Sequence, residues 1–291
     1  MCKFSVIIVS YNNLKVICDC LDSIEKNNDI GQALQVIVVE QTPQNNIYEY
    51  LLSHYTNQIF TVVRNDNNGF GAGNNKGTEY ANGDVILFLN PDTILVEPIF
   101  SFAINVFQNN KDIGLFGVQL LDAKGNLNLS YNEKINFGFG FILKNKMKRN
   151  RKFNGRKMYI NGADLFVRKD IFIKSGMFDE KIFMYGEETD LCNRIIQQGY
   201  KIDYYGDHKI IHLEGQSTSF KEQIYERLCD SFIYVSDKHN YSWRLYFWSE
   251  SIYYKIRLLF KLYKNDKEKE ILSARESILS KKLQRQGETI Q

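Results

Sequence analysis

The chain is poor in proline, in patterned cysteine and in long hydrophobic runs. Only 3 prolines occur among its 291 residues, and its 5 cysteines lack the C-x-x-C spacing of zinc or redox sites. An odd, scattered set of thiols predicts reduced cysteines in a cytoplasmic protein. No apolar run approaches the roughly 18 residues that a spanning helix needs. The first apolar run is short and soon becomes polar, so we expect no secretory leader.

The chain also lacks a strong net charge. The formal net charge is +3, with 24% charged and 44% hydrophobic residues. This composition is typical of a globular protein and argues against disorder and against nucleic acid as a partner. One segment departs from the balance, because residues 144–157 contain eight basic side chains and no acidic one. We expect a surface loop there, with contact to an anionic acceptor or a membrane surface as the alternative.

Strands and helices alternate along the first third of the chain. Runs rich in β-branched residues predict strands at residues 4–10, 34–40, 59–65 and 85–90. Helices are predicted over residues 14–24, 47–54 and 74–81. The strand runs are continuous rather than alternating, which is typical of strands buried on both faces. Four strands separated by helices predict an α/β fold with a mostly parallel central sheet.

The pattern changes after the fourth strand. Further elements are predicted at residues 98–110 (helix), 113–130 (strand and hairpin), 189–198 (helix) and 201–206 (strand). Gly199 is the expected stop of the helix before it. From about residue 220 the strand signal disappears. We therefore predict an α/β domain over residues 1–220 and a C-terminal helical extension over residues 221–291.

Polar residues follow the predicted strands at their carboxyl ends. They are Ser10, Tyr11 and Asn12 after the first strand, Glu40 after the second, residues 65–73 after the third, and Asn90 and Asp92 after the fourth. In open α/β sheets, ligands bind in the crevice outside the carboxyl ends of the strands. These residues therefore form the candidate ligand site.

The loop after the third strand is rich in glycine, with Gly69, Gly71, Gly73 and Gly77. A dinucleotide fingerprint needs G-x-G-x-x-G directly after the first strand, and a P-loop needs Gly-Lys-Ser/Thr, so the spacing fits neither. Close packing of small residues at a helix start is an alternative explanation of the glycines. It leaves Asp92 and the neighbouring asparagines unexplained.

Four ordered stretches of the sequence carry a resemblance to a known family. They are SVIIVSYNN (5–13), NNGFGAGNNKGTEYANGDVILFLNPDT (67–93), GADLFVRKDIFIKSGMFDEKIFMYGEETDLCNR (162–194) and IIHLEGQS (210–217). Together they resemble family 2 glycosyltransferases of the GT-A fold, in the rhamnosyltransferase-like branch. The resemblance extends over about residues 4–219, and it implies a GT-A catalytic domain.

The resemblance implies a nucleotide-diphosphate sugar donor, UDP- or dTDP-linked, held at the strand ends. NPDT stands at the family's D-x-D motif, so Asp92 would hold Mn²⁺ or Mg²⁺, with Asn90 at the first acidic position. Such hard cations need only one or two carboxylates when diphosphate oxygens and water fill the other positions. Glu40 stands where the family commonly has aspartate and would contact the base or ribose. The remaining nucleotide-binding candidates, whose glycines would let the backbone approach the ligand, are Ser10, Tyr11, Asn12, Asn68, Gly69, Phe70, Gly73 and Asn74.

Three acids in the stretch YGEETDL, Glu187, Glu188 and Asp190, form the candidate catalytic cluster. At a helix start such acids also complement the helix dipole, which is the alternative. The resemblance implies that Glu188 is the general base, although the family has aspartate there, with Glu187 or Asp190 sharing the role. His212 would approach the metal or the diphosphate, a structural hydrogen bond being the alternative. Asp164 would bind an acceptor hydroxyl, unless it lies in a solvated turn.

The sequence between residues 241 and 264 combines aromatic and basic residues around an apolar stripe. This composition suits a helix at the inner face of a membrane. It suits equally a helix that packs on the catalytic domain or on a second subunit, as in a homodimer.

We therefore predict a cytoplasmic, metal-dependent, inverting glycosyltransferase that acts on a glycan or lipid-linked glycan acceptor in surface polysaccharide synthesis. A nucleotidyltransferase is the alternative enzyme, but it needs a basic triphosphate loop near the first strand, where SYNNLK offers only Lys15. A sugar-nucleotide-binding protein with an inactive site is the non-enzymatic alternative, and it requires that Glu188 does not replace aspartate as the base.

Overall fold

The computed structural model describes residues 3–44, 46–133, 152–213 and 222–285. Its contacts divide the chain into two compact units. Among the described residues, the first unit contains residues 3–44, 46–132 and 153–213, and the second contains residues 133, 152 and 222–285. The predicted domain boundary after residue 220 stays a prediction.

Two sequence predictions concern the basic segment and the absence of a membrane-spanning helix. Residues 144–151 of the basic segment lie outside the described residues, so its prediction as a surface loop stays untested there. In the described part of the chain, no helix combines the length and the apolar character that crossing a membrane requires.

A mixed, largely parallel sheet forms the centre of the first unit. The strands are β1 (Phe4–Ser10), β2 (Leu34–Glu40), β3 (Phe60–Arg64), β4 (Val85–Leu89), β5 (Thr93–Leu95), β6 (Ile113–Leu121), β7 (Tyr131–Glu133), β8 (Met158–Ile160), β9 (Asp164–Arg168) and β10 (Lys201–His212). Eight of them form one sheet in the order β3-β2-β1-β4-β9-β6-β10-β5, and β7 and β8 form a second. The first four strands are parallel, whereas β9 is antiparallel to β4 and β6.

Helices cover both faces of this sheet. They are α1 (Leu14–Lys26), α2 (Asn46–His54), α3 (Phe70–Tyr80), α4 (Phe100–Asn109), α5 (Lys169–Lys174) and α6 (Glu187–Gln197). Side chains alternate across a strand. Phe4, Val6 and Ile8 of β1 accordingly join the apolar cluster that contains α1 and α4, while Ile7 and Val9 join the cluster that contains α5 and α6. Both faces of β1 are therefore buried, which explains why its sequence is continuously apolar.

The predicted α/β fold is confirmed, and β1 to β4 begin and end within one residue of their predicted bounds. Helix α3 begins at Phe70, earlier than the predicted residue 74, because Gly69 with a φ of 104° supplies the turn into it. Glycine is a poor helix former, which hid this first turn in the sequence. Gly199, with a φ of 88°, follows the end of α6 as predicted.

The second half of the sheet brings two separated stretches together. The strand predicted over residues 201–206 continues to His212 as β10, past a register shift between Tyr205 and Lys209. No pattern in the sequence predicted β5, which pairs antiparallel with the end of β10 and places Thr93 opposite His212. This pairing positions the NPDT stretch beside the histidine.

The second unit is helical, as expected for the C-terminal extension. It consists of α7 (Glu222–Lys238), α8 (Trp243–Leu259) and α9 (Asp266–Arg285). Their shared core includes Trp243 and Phe247 of α8 and Leu279 of α9. The rings of Trp243 and Phe247 meet edge to face with centroids 5.4 Å apart.

Candidate active site

The carboxyl ends of β1, β2 and β4 lie side by side at one edge of the sheet. Ser10, which ends β1, pairs in register with Glu40, which ends β2. Asn90 directly follows β4, the parallel strand on the other side of β1. The structure therefore brings together polar residues that are far apart in sequence, at the edge where α/β sheets bind ligands.

Three buried polar atoms lie at the ends of β1 and β2 and on α3. Ser10 Oγ, Glu40 Oε2 and Asn74 Oδ1 have no hydrogen-bond partner among the described residues. The other carboxylate oxygen of Glu40 accepts the Thr42 N–H at 2.8 Å. Because buried polar atoms in proteins are nearly always paired, these three atoms are candidates for hydrogen bonds to a ligand.

The other donor-side candidates follow β1 or lie at the start of α3. Tyr11 is 51% exposed. Asn12 adopts a left-handed conformation, with a φ of 53°, and its N–H donates to Thr42 Oγ1 at 2.7 Å. Asn68 is exposed, and Phe70 is half-buried. Lys15, by contrast, pairs with Asp19 on the surface of α1.

The glycines of α3 pack against protein atoms. A Cβ on Gly69 would collide with the Phe183 carbonyl oxygen, and one on Gly73 would lie 2.9 Å from both Cγ atoms of Val9. These contacts require the absence of a side chain, so close packing accounts for both glycines. They do not require the ligand approach that we expected, and a role of Gly69 and Gly73 in nucleotide binding stays a prediction.

Asp92 and His212 form the candidate metal site. Asp92 Oδ1 lies 3.2 Å from His212 Nε2, and the side-chain nitrogen Nδ2 of Asn90 lies 3.5 Å from the same imidazole atom. The Asp92 side chain is 30% exposed, while His212 is buried. The backbone fixes this arrangement, because the Leu213 N–H donates to the Asp92 carbonyl at 2.8 Å. The site therefore offers one carboxylate and one imidazole, with access to solvent.

Glu187 and Glu188 lie in the first turn of α6, directly after the left-handed residues Tyr185 and Gly186. Glu187 is buried, and burial together with the nearby charge of Glu188 raises its pKa well above the usual glutamate value. Glu188 is half-buried, and its Oε2 accepts the Gly186 N–H at 3.3 Å. Burial raises the pKa of Glu188, which makes it a stronger base than a solvated carboxylate.

Asp190 is engaged by an ion pair within α6. Its Oδ2 lies 2.7 Å from Arg194 Nη2 and accepts the Arg194 Nε–H at 2.9 Å. Arg194 also donates to the Ser175 carbonyl, which follows α5. Arg194 thus connects Asp190 to the end of α5, and the arrangement favours Glu187 and Glu188 as the carboxylates available for chemistry.

The turn before β9 adjoins both the metal side and the acid side. The Asn90 N–H donates to the Ala163 carbonyl at 3.0 Å. A Cβ on Gly162 would have the Cβ and Cδ of Glu188 as its nearest neighbours, each at 4.0 Å. Glu188 and Asn90 therefore both lie next to the turn formed by Gly162 and Ala163. Asn90 is two residues before Asp92.

Asp164 lies at the start of β9 and is fully buried. Its Oδ2 accepts the Val118 N–H at 2.7 Å, and its Oδ1 has no partner among the described residues. Burial raises the pKa of Asp164 well above the usual aspartate value. The alternative of a solvated turn is therefore wrong, while acceptor binding by Asp164 stays a prediction.

Sequence reasoning missed three residues of this site. Thr42 links the ends of β1 and β2 by its bonds to Asn12 and Glu40. Asn75 bonds to the backbone of Phe178. Tyr159 of β8 lies near Glu188, and burial, followed by the charge of Glu188, raises the pKa of the Tyr159 hydroxyl. Only Asn75 gave a signal, since asparagine is disfavoured inside helices and needs a reason to be there.

Comparison with known proteins identifies relatives for this arrangement. The family model for "Glycosyl transferase family 2" matches residues 5–174. A glycosyltransferase of Methanocaldococcus jannaschii, described as uncharacterized, is 25% identical over 269 residues, covering 86% of this chain and 87% of its own length. The rhamnosyltransferase WbbL of Escherichia coli is 23% identical over 250 residues, covering 80% of this chain and 92% of its own length.

A solved structure shares the fold. The mannosyltransferase PcManGT of Pyrobaculum calidifontis, in complex with GDP-Man and Mn²⁺, superposes with a TM-score of 0.60 at 14% identity. The superposition covers 95% of this chain and 70% of the mannosyltransferase. The predicted GT-A fold is thereby confirmed.

Proposed function

Because the chain belongs to glycosyl transferase family 2, we propose that it transfers a sugar from a nucleoside diphosphate to an acceptor hydroxyl with inversion at the anomeric carbon. The turn at residues 162–163 carries the proposal, because it adjoins Asn90 on the metal side and Glu188 on the acid side. A single displacement needs a leaving-group site and a base positioned around one reacting carbon.

Glu188 is the general base of this proposal. A sugar hydroxyl is a poor nucleophile at neutral pH, and removal of its proton during attack contributes about 10²–10⁴-fold to the rate. The proton moves from the hydroxyl to the Glu188 carboxylate while the new glycosidic bond forms. The bond between the anomeric carbon and the diphosphate oxygen breaks, and its electron pair leaves with the nucleoside diphosphate.

Asp92 and His212 are the residues that would hold a divalent cation. Asp92 fits Mn²⁺ or Mg²⁺ as a carboxylate ligand, and the His212 imidazole nitrogen, 3.2 Å from it on a partly exposed edge, would be the second ligand. No group of three or more such ligands occurs within the part of the chain that the structure describes. Substrate diphosphate and water would therefore complete the coordination. When bound there, the cation neutralises charge on the departing diphosphate.

Glu40 supports a UDP- or dTDP-linked donor. Its Oε2 is buried at the end of β2 and has no partner among the described residues. A carboxylate oxygen accepts hydrogen bonds, and both the imide N–H of uracil or thymine and the ribose hydroxyls donate them. Ser10 Oγ, on the neighbouring strand, offers a second contact to the same group.

The acceptor is proposed to be a glycan or a lipid-linked glycan of a surface polysaccharide. The rhamnosyltransferase relative supports transfer of a deoxyhexose or hexose. Asp164, whose Oδ1 is unpaired among the described residues, is the proposed contact for an acceptor hydroxyl.

A donor panel tests the proposed function. UDP- and dTDP-sugars are incubated with the protein, Mn²⁺ or Mg²⁺, and lipid-diphosphate-linked sugars. We expect release of nucleoside diphosphate with one donor class, and a product whose anomeric proton coupling shows inversion. A product with the donor's anomeric configuration would contradict the mechanism. Release of pyrophosphate from a nucleoside triphosphate and a sugar phosphate would instead indicate a nucleotidyltransferase.

The second unit supports a further partner, the surface of an anionic membrane. One face of α8 exposes Leu245, Trp248, Ile256 and Leu259, which recur at helical spacing, and Phe260 and Leu262 follow it. Basic residues accompany this face, at Arg244, Lys255, Lys261 and Lys264. Aromatic and aliphatic side chains flanked by basic ones are typical of helices that lie in a membrane interface.

Vesicle flotation checks this membrane contact. We expect the protein to float with vesicles containing phosphatidylglycerol, and a Leu259→Ser, Phe260→Ser variant to lose about tenfold or more in binding, because a buried Leu or Phe contributes about 1.5–3 kcal/mol. Leu127→Ser in the first unit is the matched control, since Leu127 and Leu259 are both 75% exposed. The native protein could instead fail to bind the vesicles and form a dimer that the double variant does not form. That result would show that a second copy of the chain covers this face.

A further inference from the structure

Helix α3 is tied to the segment that leads into the acid cluster. Asn75, buried on α3, accepts the Phe178 N–H at Oδ1 over 3.0 Å and donates from Nδ2 to the Phe178 carbonyl over 2.9 Å. The same Nδ2 donates to Glu180 Oε1 at 2.9 Å. One side chain therefore pairs both backbone groups of Phe178, a residue more than a hundred positions away.

A second contact lies at the start of the same helix. The Phe70 N–H donates to the Phe183 carbonyl at 3.0 Å. Gly69 approaches that carbonyl so closely that any side chain would collide with it. The rings of Phe70 and Phe178 also meet edge to face, with centroids 6.0 Å apart. Residues 178–183 are thus held at two points by the helix whose first turns contain the donor-side candidates.

The backbone between Phe183 and Glu188 has little freedom of its own. Tyr185 and Gly186 have φ values of 73° and 100°. A left-handed conformation is unfavourable for tyrosine and persists where the surroundings hold it. The Gly186 N–H then donates to Glu188. The place of Glu188 therefore depends on how firmly residues 178–183 are supported.

We infer that Asn75 is a positioning residue, which sets the place of Glu188 through its hydrogen bonds to Phe178 and couples filling of the nucleotide site to placement of the base. The inference rests on the proposed function, since it takes Asn74 as a nucleotide contact and Glu188 as the base. Adjacent asparagines on α3 serve the two sides. Asn74 Oδ1 has no partner among the described residues, whereas Asn75 holds Phe178. A nucleotide that orders the first turns of α3 would steady residues 178–188 through the same helix.

Amide hydrogen exchange of the full chain tests the coupling without an acceptor. The probes are UDP, dTDP and GDP, each with Mn²⁺. We expect a nucleotide that binds to slow exchange over residues 176–188 in the native protein, and to lose this effect in Asn75→Ala although it still binds. Asn75→Asp is the second variant: it creates no cavity but removes the donor to Phe178, and it serves where the alanine variant does not fold.

Gln35→Ala is the matched control for Asn75. Gln35 Nε2 donates to the Tyr80 carbonyl at 3.0 Å, and its Oε1 accepts the Ser5 hydroxyl at 2.9 Å. It therefore holds the other end of α3 to the sheet by a similar number of bonds. We expect this variant to lose thermal stability and yet keep the nucleotide effect on residues 176–188.

Steady-state kinetics supply the readout that a general loss of stability would not give. We expect Asn75→Ala to lower kcat by about 10–10²-fold, as displaced catalytic groups do, with the donor KM little changed. The acid limb of kcat/KM should also move to lower pH, because a loosened segment exposes Glu188 and removes the burial that raises its pKa. The titratable groups that face Glu188 are Glu187 on α6 and Tyr159 on β8, and neither is changed.

The outcomes separate this inference from the proposed function. If a nucleotide binds but exchange over residues 176–188 is unaffected, or if Asn75→Ala behaves like Gln35→Ala, the coupling is wrong and the glycosyltransferase proposal stands. If none of the three nucleotides binds, the proposed function fails and this inference fails with it.

Discussion

Replacing Glu188 by glutamine is expected to lower kcat for sugar transfer by about 10²–10⁴-fold, because glutamine cannot accept the proton of the attacking hydroxyl. The change keeps the size of the side chain, and Oε1 of glutamine can still accept the Gly186 N–H that Glu188 accepts in the structure. Donor binding should therefore be unaffected. Transfer rates at saturating donor, with nucleotide affinity measured by calorimetry, check both parts of this expectation.

Glu188→Asp should retain part of the activity. It restores a carboxylate but withdraws it by about one methylene, and a displacement of about 1 Å can cost about 10²-fold. Recovery of full activity by aspartate would show that the pocket does not depend on the longer side chain.

Glu187→Gln separates the two neighbouring acids. Glu187 is the more buried, and its pKa is raised by burial and by the charge of Glu188. If Glu188 is the base, this variant should transfer sugar far better than Glu188→Gln. Glu79→Gln, on the exposed surface of α3, is the control for a simple change of charge. Activity that survives in Glu188→Gln but vanishes in Glu187→Gln would assign the base to Glu187.

The pH profile of the native protein follows from the same carboxylates. A general base works when deprotonated, and burial raises the pKa of Glu188 above the usual 4.5 of a glutamate. As the pH falls, protonation therefore begins earlier than for a solvated acid. We expect the acid limb of kcat/KM to lie above 4.5 and to disappear from the residual activity of Glu188→Gln.

The sequence was sufficient for the parallel half of the sheet and for the polar strand ends. β1, β2 and β4 are buried on both faces, so their sequences are continuous apolar runs that are hard to mistake, whereas β3 is a half-buried edge strand. The position of Asp92 follows from β4, because a residue just beyond a buried parallel strand must lie at the ligand-binding edge. Both features can be predicted because they depend only on residues that are close together in the sequence.

Contacts between distant segments could not be predicted in this way. β5 has three residues and no pattern of its own, and it exists because β10 pairs with it. The role of Asn75 depends on a partner more than a hundred residues away. The glycines of α3 were visible in the sequence, but whether Gly69 faces a ligand or Phe183 is decided by packing. Burial of Asp164 is likewise a property of the assembled sheet.

Replacing Asp92 by asparagine is expected to lower kcat by at least about 10²-fold and to raise the Mn²⁺ concentration needed for half-maximal activity. Asn keeps the shape of the side chain but removes the negative charge, and a bound cation contributes several kcal/mol to stabilising charge in such transition states. Titration of activity with Mn²⁺, together with direct binding of Mn²⁺ measured by electron paramagnetic resonance, checks the expectation.

A second pair, formed by another histidine of β10 and a carboxylate outside that strand, provides the control. His208 Nδ1 lies 3.7 Å from Glu97 Oε1, whereas His212 Nε2 lies 3.2 Å from Asp92 Oδ1. Glu97→Gln and His208→Gln change the same kinds of groups in β10 and the chain beside it, but away from Asn90 and the turn at residues 162–163. They should leave the Mn²⁺ titration unchanged, while His212→Gln should shift it in the same direction as Asp92→Asn. Equal effects of the two pairs would mean that the charge near β10, rather than a site at Asp92, controls activity.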